Sequence, residues 1–407
     1  MATDVLVVGA GIGGLTAAAC CARQGLSVVV LEGSSRVGGR ASTDDVEGYR
    51  FDRGAHALYC GGEAERVLAS LGVALTAPKA FTTGSSTIFE GQVHPLPDTL
   101  GSVMGASWLG AGGRMALAGW FARVGLGSPP EGTVEDWLAP LPDPVRALAA
   151  ALVRVSTYSA DLHRMDARLA AAQVRLGATH GVRYVEGGWQ GMVDGLRARA
   201  EALGVEIRTG TAARSVAPGL VATDQGDLRA PIVVLAVPPD RAEALLGTSL
   251  PDRPAPSRVA ALQLALRDDV VVGPTRRLVL STDVPVFLSN FSPVVPMGPA
   301  GAQVVHAIRY LPDDAPADDA LGDLERTLDL VWPRWREGEL ARRFLPSMVT
   351  AGGLPAPGRP RLAVDAVEGV LLAGDAYGDR GHLADAAFAS GEEAARHAVA
   401  RIRARAA

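Results

Sequence analysis

Val5-Leu6-Val7-Val8-Gly9-Ala10-Gly11-Ile12-Gly13-Gly14 is the stretch that decides the fold. Val5 to Val8 is a short β-branched and leucine run, apolar on both faces, as a buried parallel strand must be. Leu15 to Arg23 is built of strong helix formers, and Gly25 closes the segment as a C-cap. Ser27 to Leu31 reads as a second strand with Glu32 at its end. Strand, glycine turn, helix, strand and acid therefore stand in the order of one βαβ unit.

Gly9, Gly11 and Gly14 have the spacing of a dinucleotide turn, and each has a mechanical reason: a tight turn, close approach of backbone to pyrophosphate, and close helix–strand packing. Ile12 and Gly13 open the helix, so a phosphate would sit on its N-terminus, where orphan N–H groups and the positive end of the dipole offset its charge. Glu32 lies 18 residues after Gly14, where its carboxylate can accept from both ribose hydroxyls and would repel a 2′-phosphate. That argues against NADP. A glycine-rich turn alone would show the same spacing, and it is the strand before and the acid after that carry the dinucleotide reading.

Working outward, Val205 to Ile207, Leu220 to Thr223 and Ile232 to Val237 read as short strands separated by turn residues. Val370 to Ala373 is a further buried strand ending at Gly374-Asp375, and Ala384 to Arg403 carries helix formers almost throughout. Two long stretches with mixed helical and strand patterns lie between. The expected division is a discontinuous nucleotide-binding domain of residues 1–79, 184–239 and 353–407, with residues 80–183 and 240–352 forming a substrate domain.

The 407 residues suffice for two such interleaved domains. A formal net charge of −5 gives no attraction to phosphate backbones, so no nucleic-acid partner is expected. Cys20, Cys21 and Cys60 are too few and too clustered for a disulfide framework or a metal site, which fits a reducing cytoplasm. The N-terminus lacks the basic residue and long apolar run of a signal peptide. Leu100 to Gly127, rich in Gly, Ala, Leu and Trp but carrying Arg114 and Arg123, could cover a lipophilic pocket or touch a membrane surface. Apolar helical stripes are usually core, so a buried helix is the plainer expectation there. No oligomer interface is legible.

Gly38-Gly39-Arg40 follows the acid, and favours FAD over NAD: paired glycines again permit close backbone approach, and Arg40 can offer a charged fork to phosphate or stack on a ring. An ordinary glycine turn with a surface arginine is the alternative. Asp4 to Arg40 resembles the opening of the flavin amine oxidase and phytoene desaturase superfamily, in which this stretch binds the ADP half of FAD. The resemblance extends to Phe51-Asp52-Arg53-Gly54-Ala55-His56, to Gly187-Gly188-Trp189 with Met192 and Leu196, and to Ile207 to Val216, which by that match would bring Ala213 against adenine. It continues through Val233 to Pro239 and closes on Gly374-Asp375 with Ser390-Gly391. In that last block the family's aspartate binds the ribityl or pyrophosphate region, and the following helix points at the isoalloxazine. A helix dipole starting near Leu383 to Ala386 would stabilise the negative charge of reduced flavin. Asp375 could equally be a strand-end carboxylate that caps a turn.

The resemblance implies an α/β fold: a Rossmann-type FAD-binding domain, laid out as in p-hydroxybenzoate hydroxylase, with an inserted α+β substrate domain. His56 and His382 are the titratable candidates for proton transfer, although histidine can equally cap or pack, and Asp379-Arg380-Gly381 suggests a solvated loop around His382. Tyr59, Tyr158, Trp189 and Tyr377 could line a substrate pocket or be core. Two departures matter. Lys79 is the sole lysine and lies outside any matching motif, which weakens amine oxidation; no cysteine follows Cys60, so FAD is expected to be noncovalent. The implied activity is hydride removal from, or double-bond rearrangement in, a lipophilic polyene- or isoprenoid-like small molecule, with oxidation of an amine or specialised metabolite as the alternative. GDP dissociation inhibitors share this fold without using flavin, and Glu32, Gly39, Arg40 and Asp375 argue against that third reading.

Overall fold

The computed structural model describes residues 2–406 except 55, 81–83, 128–129, 252, 254, 274–276 and 314–318. Ala55 of the Phe51–His56 block thus lies outside the described residues.

A five-stranded, all-parallel sheet has the order Val370–Leu372, Ile232–Leu235, Val5–Val8, Val28–Leu31, Glu206–Arg208. Its central strands are buried along their whole length, which is why they read as unbroken apolar runs. The period of two still sorts their side chains. Val5, Val7, Val28, Val30, Ile232 and Val234 pack toward helices Ile12–Arg23, Trp189–Ala202 and Ala384–Ala406. Leu6, Val8, Val29, Leu31, Val233 and Leu235 face the opposite layer, where a three-stranded antiparallel sheet (213–217, 220–223, 226–229) and helix Pro239–Leu246 cover them.

A seven-stranded mixed sheet is built from Ser85–Phe89, Gln92–Pro95 and five strands between Ser257 and Ala351. Along strand Ser257–Arg267, second from one edge of this sheet, Val259, Ala261 and Ala265 face the helices of 100–180, while Ala260, Leu262, Leu264 and Leu266 face helix Ala320–Val331. Gln263 and His306, opposite each other in this sheet, are fully buried polar exceptions.

Leu100–Gly105 and Gly110–Leu126 form two helices, and the second buries Gly113, Leu117, Trp120 and Val124 as the core reading expects. Leu100, Met104, Met115 and Leu126 nevertheless stand exposed, so only one side of this segment is core. Among the described residues no helix is long and apolar enough to cross a membrane.

Candidate cofactor and substrate site

The parallel strands 5–8, 28–31, 232–235 and 370–372 all end at one cavity of about 440 Å³. The loops after them supply Gly9 to Gly13, Glu32, Ala236 to Pro238, and Ala373 to Tyr377. Ligands of open parallel sheets bind at these carboxyl ends, because the strand-to-helix turns present backbone N–H groups and helix N-termini there.

Gly9 takes φ +103°, and a Cβ on it would stand 2.4 Å from the Ala236 oxygen. A Cβ on Gly14 would lie 1.9 Å from the Gly9 oxygen, so Gly14 sits behind the cavity wall and lets the helix descend onto its own strand. A Cβ on Gly13 would meet Gly374 N at 3.0 Å, and one on Gly391 would meet the Gly13 oxygen at 2.5 Å. Small residues therefore clamp the first and last helices together, with the Gly374 turn between them. Gly11 precedes the first helix without a side-chain cap, which leaves the N–H groups of the first turn directed at the cavity. This uncapped cradle fits a pyrophosphate.

Glu32 is fixed by two backbone donors: Ala10 N–H gives to Oε2 at 2.8 Å and Ser34 N–H to Oε1 at 2.9 Å. Its remaining lone pairs are positioned for hydroxyl donors. Gly38, Gly39 and Arg40 complete that wall. Arg40 pairs with Asp375 through both nitrogens, Nη1 at 2.9 Å from Oδ2, and Gly352 N–H donates to Asp375 at 2.7 Å. Burial pushes the Asp375 carboxyl up, but the Arg40 guanidinium and these hydrogen bonds more than offset it and hold it below the usual carboxylate range. Ala213 does not line the cavity: it begins strand Ala213–Ala217, buried, with its carbonyl accepting from Arg241 at 2.8 Å.

At the other end of the cavity the last helix starts. Leu383 adopts φ +54°, rare for a branched residue, and turns the chain into Ala384–Ala406. Leu383, Ala384, Asp385 and Ala387 line the cavity, whereas Ala386 is fully buried and does not reach it. Asp385 accepts from Ala64 N–H at 2.7 Å, and burial pushes its carboxyl up to about 6.

His382 is only 2% exposed, in place of the solvated loop that the neighbouring polar residues suggest. Its Nε2 donates to the Thr157 carbonyl at 2.9 Å, and burial, with Arg361 second, brings it down to about 4. It is neutral at pH 7. His56 is half-buried, bonded through Nδ1 to the Gly54 oxygen at 2.9 Å and set edge-on to Trp189 with 4.5 Å between ring centroids. Both histidines line the cavity, as do Tyr59, Tyr158, Trp189 and Tyr377. Tyr59 donates to the Ser156 carbonyl at 3.1 Å.

Met348, Val349 and Thr350, from the end of strand Glu339–Ala351, close the cavity and carry no signature in the sequence. Nor does the polar knot that ties the seven-stranded sheet to the two-stranded hairpin of residues 43–52. Arg343 donates to Gln263 at 2.7 Å and to the carbonyls of Phe51 and Asp52, and Gln263 donates to Asp52 O at 2.6 Å. His306 lies 3.3 Å from Gln263, and burial, with His56 second, brings it down to about 3. Lys79 forms an isolated backbone β-bridge with Arg183, away from the cavity.

A family profile described as an NAD(P)-binding Rossmann-like domain matches residues 7–71. A phytoene desaturase of Cercospora nicotianae is 46% identical over 70 residues, 17% of this chain and 11% of that one. A Mycobacterium tuberculosis protein named as a flavin-containing monoamine oxidase is 30% identical over 273 residues, 58% of this chain and 57% of its own. The chain thus matches between about a tenth and just over half of the length of these relatives. A solved oxidoreductase of Methanosarcina mazei superposes over 97% of this chain and 100% of its own, with a TM-score of 0.77 and 17% identity, which shows a shared fold. In sequence the chain thus resembles a phytoene desaturase over 70 residues and a flavin-containing monoamine oxidase over 273, while the likeness to the solved oxidoreductase is one of fold.

Proposed function

We propose that the protein is an FAD-dependent oxidoreductase that dehydrogenates, desaturates or isomerises a lipophilic, polyene- or isoprenoid-like small molecule, with FAD held noncovalently. Residues 1–79, 184–239 and 353–407 would form the FAD unit and residues 80–183 and 240–352 the substrate unit. The observation that carries this is the convergence of an uncapped helix N-terminus, Glu32, the Arg40–Asp375 pair and a second helix start on one cavity.

In this reading the N–H groups of Ile12 and Gly13 hold pyrophosphate, Glu32 takes the ribose hydroxyls, and Gly38, Gly39 and Arg40 wall that end. Bound FAD would supply the two-electron acceptor for hydride. Asp375, fixed by Arg40 and Gly352, offers a charged acceptor to hydroxyl groups of the cofactor chain. The last helix directs its positive end at the cavity and stabilises negative charge developing there. His382 is neutral and is held through Nε2 by Thr157, while its Nδ1 is buried without a protein partner and is the atom that could accept a proton. Tyr59, Tyr158, Met348, Val349 and Leu383 exclude water.

Oxidation of an amine is the second reading, favoured by the monoamine oxidase relative because it spans more of the chain than the desaturase does. Against it, the described carboxylates on the cavity wall are Glu32, Asp375 and Asp385, all already engaged by protein donors. The test is anaerobic mixing of FAD-loaded protein with a polyene or with a primary amine. Bleaching of the flavin bands by the polyene, or its isomerisation without bleaching, supports the first reading; bleaching by the amine alone replaces it with the second.

A further inference from the structure

Arg361 stands outside the cavity wall and in no motif, yet its surroundings are unusual. It is 5% exposed. Its Nε donates to the Gly378 carbonyl at 3.0 Å, and its Nη2 to the carbonyls of Gly381 at 2.7 Å and Arg380 at 3.4 Å. Every one of these acceptors is neutral. Among the described residues no carboxylate lies within ion-pair distance of it, and its Nη1 is buried without a hydrogen-bond partner. Two carboxylates act on it from a distance: Asp375, which is already paired with Arg40, and Asp379. A buried, uncompensated guanidinium is costly, and an apolar side chain of similar length would avoid the cost.

Its position gives that charge a use. Leu362 bridges to Tyr377, and Gly378 N–H donates to the Leu362 carbonyl at 2.8 Å, so Arg361 lies directly behind the segment from Gly374 to His382. That segment lines the cavity at Gly374 to Tyr377 and again at His382. The three carbonyls Arg361 gathers belong to the loop that delivers the chain into Leu383, whose φ of +54° needs support from its surroundings.

We infer that Arg361 is a positioning residue of the cofactor site: it gathers the 378–381 loop so that the last helix starts against the cavity, and its unpaired charge stabilises the negative charge that reduction places there. This rests on the FAD reading. A positive charge behind the helix start adds to the dipole, and both act through protein that excludes water.

The test uses FAD-loaded full-length protein as wild type, Arg361→Gln, Arg361→Met and Arg361→Lys, with the flavin midpoint potential as the readout besides activity. Gln keeps one donor for the loop carbonyls and removes the charge; Lys keeps the charge and loses the fork. The Gln and Met variants should shift the reduced-to-oxidised equilibrium toward oxidised flavin by roughly tenfold, about 30 mV for a two-electron couple. The Lys variant should restore the potential while binding FAD more weakly. An unchanged potential in the FAD-loaded Gln variant would overturn the assignment. So would a Gln variant that fails to fold while Lys folds, because Arg361 would then be structural only. A wild-type protein that takes up no FAD defeats the parent reading instead, so the two failures are distinguishable.

Discussion

At the ends of the parallel strands the cavity is shaped by backbone; at the end of the seven-stranded sheet it is shaped by side chains. On the first side, Gly9, Gly13 and Gly14 sit where a Cβ would strike main-chain atoms, and Glu32 is held by two backbone N–H groups. On the second, Met348 to Thr350, Tyr158 and His382 reach the cavity from strands and loops far apart in the chain. A requirement on backbone admits few residue types and leaves a mark in the sequence; a requirement on packing admits many and leaves none. The two sides should also fail differently when changed.

The largest effect is expected at Gly14. Gly14→Val places side-chain atoms against the Gly9 carbonyl, and nothing flexible is there to yield. It should cost at least about 3 kcal/mol and abolish FAD uptake, read by folded yield and flavin content. Near-normal melting with bound FAD would erase the proposed distinction between the two sides.

Next comes the Arg40–Asp375 pair. Arg40→Met leaves the Asp375 carboxylate buried without its cation, at a cost of roughly 3 kcal/mol, toward the low end for buried pairs because Arg40 is 42% exposed. The Asp375 carboxyl is held low in the fold, so its contribution is present above the ordinary carboxyl range and lost as pH falls through the depressed folded value. Removing Arg40 should therefore move the onset of acid unfolding to higher pH in thermal melts, and an Arg40→Met/Asp375→Asn double variant should recover part of the loss.

Asp385 gives the opposite sign. Burial pushes its carboxyl up to about 6, so the folded state binds a proton more tightly than the unfolded chain, and stability drops as pH rises between about 4 and 6. Asp385→Asn keeps an acceptor for Ala64 N–H and removes that drop. It should match wild type near pH 4 and exceed it by about 2 kcal/mol at pH 7. A variant less stable than wild type at pH 7 would show that the carboxylate charge is used.

The smallest effect belongs to the packed side. Thr350 donates to the Tyr158 carbonyl at 2.9 Å, and Thr350→Val should cost about 1 kcal/mol. FAD affinity should stay unchanged while the KM for substrate shifts. A loss of FAD affinity would mean that the two sides are coupled.

The same difference explains what was legible. The βαβ unit, the strands at 220–223, 232–235 and 370–372 and the last helix were readable because their apolar runs, glycines and helix formers act locally. Glu32, Arg40, Asp375, His56 and His382 were readable as candidates, and all line the cavity. His382 is buried among residues from elsewhere in the chain, and its neighbours Asp379, Arg380 and Gly381 could not reveal that. Gln263, Arg343 and His306 sit within apolar or mixed strands, where nothing marks them as the knot that holds the 43–52 hairpin to the seven-stranded sheet. Arg361 is one arginine among many, and nothing in the sequence shows that the fold leaves its charge without an ion-pair partner among the described residues.

The central claim is that the backbone side of the cavity holds FAD, and the most direct test is the visible absorption spectrum of the purified protein, followed by heat release and identification of any flavin. Two flavin bands and releasable FAD are expected, with both lost in Gly14→Val. A colourless protein that also takes up no added FAD would contradict the claim, and the cavity would then belong to a binding protein that uses this fold without flavin.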